Sequence, residues 1–236
     1  MFSTILNNIP PDQIALLISL LLITGIFAGT IAGLFGIGGG VVIVPALYYI
    51  FTLAEIDEQF RMHLAVGTSL ANIIPTSIIS AYSHYQKKAV DFNLIKIVTP
   101  SLIIGVILGA LVVSNISGSI LMLIYAFLLF NIALLFFFWQ DRWQLGNIFP
   151  TNYLKHVYGS SIGFISTIIG IGGGSLSTPL LKIYNFEIHR AIGTAAGIGA
   201  VIAMPGTIGF IISGIYNDVN LPLSLGYVNF LGLLMI

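Results

Sequence analysis

The 236-residue sequence contains no cysteine and very little charge. Without cysteine there can be no disulfide, thiolate metal site or cysteine nucleophile. Only 7% of residues are charged while 57% are hydrophobic, against about 25% charged in an ordinary soluble domain. A water-facing surface cannot be built from that inventory. Eight Lys/Arg balance eight Asp/Glu at zero net charge, so the basic stripe of a nucleic-acid binder is missing. A mean hydropathy of +1.04 excludes a disordered chain. The N-terminus has no basic n-region, and the apolar run behind it is too long for the core of a cleaved signal, so this run is expected to stay in the membrane. No nucleophile, base and orienting acid stand at recognisable spacing, so no catalysis is expected.

What is present is a series of apolar runs. A helical span needs about 20 apolar residues, and Ile14–Phe35, Met62–Tyr82, Ile95–Val113, Ile120–Trp139 and Ala191–Ile215 are each candidates. Shorter runs, Val41–Phe51, Val157–Gly170 and Ser175–Tyr184, flank glycine clusters, and Leu221 to the end reads as a last membrane helix. The runs are continuous rather than alternating, which argues against a membrane barrel. The predicted fold is an all-α, polytopic transmembrane helical bundle forming one domain over residues 1–236.

The two halves echo each other. Gly36–Gly40 (GIGGG) followed by Pro45 recurs as Gly170–Gly174 followed by Pro179, an offset of 134 in both cases (170 − 36, 179 − 45). HLAVGT from His63 recurs as HRAIGT from His189 at an offset of 126, and Pro75 recurs as Pro205 at 130. A first repeat with its linking helix is assigned to residues 14–139 and a second to 157–236. The second is expected to be truncated at the C-terminus or supported there by another subunit, since a counterpart of Ile120–Trp139 is missing. Helices supplied by a partner, or a homo-oligomer, would complete it. Lys and Arg collect on the cytoplasmic side. If both short segments cross, seven of the eight basic residues fall on one side against Arg61, whereas re-entry on the break side divides them 5:3. Crossing is therefore expected, with the N-terminus outside and the halves inverted.

Each GIGGG cluster should break its helix, because glycine costs about 1 kcal/mol per residue relative to alanine. Broken backbone is tolerated at membrane depth only where it is buried in protein or lines a cavity. Paired breaks in inverted halves point to a transporter's substrate site near the midplane. The helix restarting after each break presents N–H groups and a positive dipole end, which suit an anion. The bland alternative is close packing through small residues. The candidate ligands are the amides of Gly38, Gly39, Gly40, Gly172, Gly173 and Gly174. Thr68, Ser175, Thr178 and Thr194 would add hydroxyls, and His63 or His189 would assist with charge or a proton. The histidines have no third ligand at metal-binding spacing, and neither cluster continues as a phosphate-binding loop. The absence of Asp and Glu from the centres of the runs disfavours a cation as substrate.

The sequences GTIAGLFGIGGGVVIVPAL and GSSIGFISTIIGIGGGSLSTPLL, with HLAVGTSLANIIPTS and HRAIGTAAG, resemble the sulfite exporter family TauE/SafE from about Leu21 onward. The resemblance implies a multi-pass bacterial inner-membrane transporter with duplicated halves. It further implies outward movement of small anions such as sulfite, sulfoacetate or related sulfur-containing anions, with no bound cofactor. The partners expected are that anion and the lipid bilayer, with no nucleic acid. The alternative reading, motivated by the abrupt end, is a non-transporting or degenerate membrane subunit packed against a partner.

Overall fold

A computed structural model describes residues 19–27, 29–30, 39–138, 144–146, 149–150, 153–221 and 223–235. Residues 19–27 are helical. They are followed by α1 (Gly40–Leu53), α2 (Glu58–Gln86), α3 (Phe92–Ser114), α4 (Gly118–Phe137), α5 (Leu154–Ile169), α6 (Gly174–Ile183) and α7 (Ile188–Tyr216). Four of these, α2, α3, α4 and α7, are long and apolar enough to cross a membrane. Three begin at a polar loop residue whose side chain caps the first turn. Asp57 accepts from the Gln59 amide at 3.1 Å, Asp91 from Leu94 at 3.0 Å and Ser117 from Ile120 at 3.4 Å. The helices α1 and α6 start instead at glycine, with no side-chain cap.

The ends of the helices sort by side. The end of α2 lies beside the start of α7: Arg190 pairs with Asp91 at 2.7 Å, and the Asp91 amide donates to Thr194 Oγ1 at 3.0 Å. At the opposite end Asn217 Nδ2 donates to the Ser114 carbonyl at 3.5 Å. The two 29-residue helices α2 and α7 are therefore antiparallel. Helix α5 runs parallel to α3 at close range, because Gly105, Gly159 and Gly163 have no room for a Cβ against the facing backbone or Ser101. This is small-residue packing of the kind membrane helices use.

Helix α6 then returns to the side from which α5 entered. Tyr158 in the second turn of α5 and Tyr184 at the end of α6 meet hydroxyl to hydroxyl at 2.9 Å, and Phe149 packs against both rings. As a result Lys87, Lys88, Lys96, Lys155, Lys182 and Arg190 share one end of the bundle. Arg61 alone of the described basic residues lies at the other. The short segment α6 is thus the returning arm of an α5–α6 hairpin, with its break inside the protein.

The C-terminal segment corrects the sequence reading. Leu221 onward is not one helix. Leu223 and Gly226 have positive φ (56° and 55°), and β1 (Ser224–Leu225) pairs antiparallel with β2 (Val228–Asn229). Only α8 (Phe230–Met235) is helical. An apolar run with no charge gives the same periodicity signal for a buried hairpin as for a buried helix. The hairpin is wedged between α2 and α7, where Gly67 and Gly214 leave no room for a Cβ beside the backbone of residues 226–227.

One apolar core joins Val44 and Leu47 of α1, Leu64, Val66 and Leu70 of α2, Ile169 and Ile171 at the second break, and Phe210 of α7. A second lies toward the lysine-rich end, around Leu94, Val98, Leu102, Leu181, Ile198 and Ile202.

Candidate functional site

Gly40, the last residue of the first glycine cluster, meets the second cluster in the centre of the bundle. A Cβ on Gly40 would overlap the Gly170 carbonyl oxygen and lie 2.7 Å from Ile171 Cα. Ser69 of α2 bridges to the same point, donating to the Gly170 carbonyl at 2.8 Å. The second cluster turns sharply because Gly170, Gly172 and Gly173 all take positive φ (72°, 63° and 77°), a region that L side chains disfavour. Gly38 of the first cluster lies outside the described residues. Gly39 is the N-cap of α1, and Gly40 is its buried first residue.

At the second break, backbone donors are left over. Gly170 and Ile171 donate to the Ser166 carbonyl, and Leu176 and Ser177 donate to Gly173. The amides of Gly172, Gly173, Gly174 and Ser175 find no acceptor among the described residues. These are the orphan donors at the N-terminus of α6, where the helix dipole is positive. Buried backbone donors are almost always paired, so these four at a buried turn are the candidate donors for an acceptor.

Side chains reinforce this. Ser166 and Ser175 are fully buried, and their hydroxyls have no partner; neither have those of Ser177 and Thr178. Several other helical hydroxyls satisfy themselves on the carbonyl four residues back, as Thr76 does on Asn72 at 2.9 Å, Thr99 on Ile95 at 2.7 Å and Thr167 on Gly163 at 2.8 Å, although Thr207 and Ser213 of α7 are also buried without a partner. Ser166 does not, and its Oγ sits 3.5 Å from the place a Gly173 Cβ would occupy. Sequence reasoning missed Ser166. It precedes the break by one turn, and residue 32, its counterpart at an offset of 134, is alanine. Ile73, Ile198 and Ile202 wall the turn on the other side.

The remaining candidates fall elsewhere. Thr68 is buried, but its Oγ1 accepts from the Asn229 amide at 2.9 Å, so the C-terminal hairpin occupies it. Nearby Asn72 Nδ2 donates to the Gly232 carbonyl at 3.3 Å. His63 faces away from the break, with Nε2 3.1 Å from the Val113 carbonyl and its ring stacked on Tyr227 at 4.8 Å between centroids. Thr194 is engaged with Asp91 at the lysine-rich end. His189 is exposed in the first turn of α7. At 1.5 Å per residue it stands about 14–20 Å along the axis from Ile198 and Ile202.

His63 and His189 are therefore not equivalent in place. Counted from their helix starts, α2 and α7 are offset by 130 (188 − 58), like Pro75 and Pro205, whereas the histidines are offset by 126. The motif has slipped by four residues, about one helical turn.

Thr68→Val should remove the hydroxyl that accepts from the buried Asn229 amide and destabilise the protein by about 1–2 kcal/mol. Thr68→Ser should retain most of the stability. Thermal unfolding in detergent checks this; equal melting of Thr68→Val and wild type would remove the hairpin from its assigned place.

A buried cluster of neutral donors at a helix break can hold an oxyanion but offers no nucleophile or proton carrier. Among the described residues no group of three His, Asp or Glu side chains could hold a metal. The fold and this site define a polytopic helical membrane protein with the features of a transporter. The match to the family Sulfite exporter TauE/SafE covers residues 21–236, and the chain belongs to that family, which is one of transporters and not of enzymes. It is 34% identical over 211 residues to a Probable membrane transporter protein of Haemophilus influenzae, covering 89% of this chain and 80% of the relative. A Probable membrane transporter protein of Methanocaldococcus jannaschii is 30% identical over 223 residues, covering 90% and 82%. The Probable membrane transporter protein YunE of Bacillus subtilis is 30% identical over 221 residues, covering 84% and 80%. No solved structure matches the chain at a significant level.

Proposed function

We propose that this protein is a secondary transporter that exports small sulfur-containing anions, such as sulfite or sulfoacetate, across a bacterial inner membrane. The halves 14–139 and 157–236 act as inverted repeats, each contributing one glycine break to a central site. The amides of residues 172–175 and the hydroxyls of Ser166 and Ser175 bind the anion there, and alternating access exposes them first to one side and then to the other. One observation carries the reading: unpaired hydrogen-bond donors converge on a buried helix break, where leaving them without an acceptor is costly. The basic residues at the α2–α3, α4–α5 and α6–α7 ends put those ends in the cytoplasm by the positive-inside rule.

The test is efflux of sulfite from loaded proteoliposomes carrying this chain. Saturable efflux that sulfoacetate inhibits is expected. Leakage no faster than from empty vesicles, beside a working family member as control, would overturn the assignment.

A further inference from the structure

Resting on the reading of the second glycine break as the central site, we infer that the site is entered from the lysine-rich end through a narrow cavity between α3, α5, α6 and α7. Tyr158 and Tyr184 latch the mouth of this path, and Ser177 is the first hydroxyl along it. The cavity is lined by Leu94 of α3, Phe149, Tyr158 of α5, Ser177 of α6 and Ile198 of α7, among others. Its mouth is at the lysine-rich end, because Leu94 is the third residue of α3 and Tyr158 the fifth of α5. Ser177 precedes Tyr184 by seven residues and so stands about 10 Å deeper along α6. Ile198 joins the cavity to the break: it lines the first, and its Cγ2 is 3.5 Å from the place of a Gly173 Cβ.

In this structure the path is shut. The rings of Phe149, Tyr158 and Tyr184 pack together with centroids 5.4–6.0 Å apart. The room left inside is about 10 Å3, barely that of one water. So narrow an apolar passage is closed to hydrated ions. The shut form also carries a cost, because Ser177 is 1% exposed and its hydroxyl has no partner. Water or an anion entering an opened path would supply one. The arm able to move is α6. Its ten residues run from the glycine turn, with positive φ at residues 170, 172 and 173, to a second turn at Asn185 (φ 62°). It packs along α7 and meets α5 at few points, whereas α5 is seated on α3 through glycine. The 2.9 Å bond between the Tyr158 and Tyr184 hydroxyls ties α6 back to that fixed wall. Breaking it frees α6 to swing from α5 and widen the cavity.

The chain has no cysteine, so Ser177→Cys would carry its only thiol. A small, membrane-impermeant anionic methanethiosulfonate is applied to right-side-out and inverted membrane vesicles. Lys87→Cys and Glu58→Cys, at exposed positions on opposite ends of α2, mark the two sides. Ser177→Cys should react from the Lys87 side, more slowly than Lys87→Cys itself, and at most weakly from the Glu58 side. Adding Tyr184→Phe or Tyr158→Phe keeps the ring and removes the latch. Either should speed the reaction about three- to tenfold, with the rate at Lys87→Cys unchanged. Faster reaction from the Glu58 side, or reaction from neither side, overturns the path, and an unchanged rate in both tyrosine variants overturns the latch. The thiol reports access without transport. Sulfite efflux beside an unreactive Ser177→Cys overturns this inference and leaves the transporter reading standing. Latch-sensitive reaction in a chain that effluxes no sulfite supports the path and counts against that reading instead.

Discussion

Gly40→Val is expected to abolish the folded, transport-competent protein. The Cα of Gly40 rests directly on the chain at Gly170 and Ile171, and any Cβ would overlap the Gly170 carbonyl oxygen. Backbone cannot swing aside as a flexible side-chain tip can. The strain must be relieved by separating α1 from the α5–α6 turn, which also strips Val44 and Val66 from their packing around Gly170. Overpacking of this kind typically costs 1–3 kcal/mol and occasionally more. With two backbone contacts violated, about 3 kcal/mol or more is expected. Gly29→Ala is the matched control. Its Cβ would meet nothing within 4 Å, so it should be neutral or stabilise its helix by up to about 1 kcal/mol. Monodispersity and melting in detergent report the difference. A Gly40→Val protein as stable as Gly29→Ala would mean that the start of α1 does not rest on Gly170 and Ile171.

Ser166→Ala and Ser175→Ala should do the opposite to stability and still remove function. Each serine buries a hydroxyl with no partner, and an unsatisfied buried polar group costs about 1–3 kcal/mol. Deleting it should stabilise the unliganded protein by about 1 kcal/mol, partly offset by the small void left behind. The same deletion removes a donor to the anion, a charge-assisted hydrogen bond worth about 1.5–3 kcal/mol. That corresponds to roughly 10–150-fold in affinity. A merely structural serine would lose stability and keep its transport kinetics. Raised melting together with loss of sulfite efflux is the expected signature, and lowered melting with unchanged efflux would dismiss these hydroxyls from the site. They are better probes than Gly173→Leu. At that position φ is +77° and a Cβ would lie 2.5 Å from Ile202 Cδ1, so loss of flux could not be separated from misfolding.

Much of this was legible in one dimension. Composition alone required a membrane, and four glycines in five residues announced breaks that helix propensity cannot bridge. Internal repetition marked both breaks as related. The motifs marked places in the chain, however, and not faces or depths. The HLAVGT and HRAIGT blocks look equivalent, yet a one-turn slip against their helix starts buries His63 beside the C-terminal hairpin and leaves His189 exposed. Thr68 and Thr194 are likewise spent on the backbone of Asn229 and Asp91. Ser166 carried no signal because several hydroxyls share its run and its counterpart in the other half is alanine.

The sequence by itself determined the solvent this protein folds in, the location of the helix break at residues 170–173 and the lack of any formal charge within the spans, because each of these follows from which residues are present and how far apart they lie. Only the tertiary structure decided that the start of α1 rests on the second glycine break, that α6 returns to the side α5 came from, and that residues 223–229 form a buried hairpin instead of a helix. Those outcomes depend on which backbones can approach closely and which donors are left unpaired once they have. Contacts between residues more than a hundred positions apart, such as Ser69 with Gly170 and Thr68 with Asn229, settle both, and no local pattern contains them.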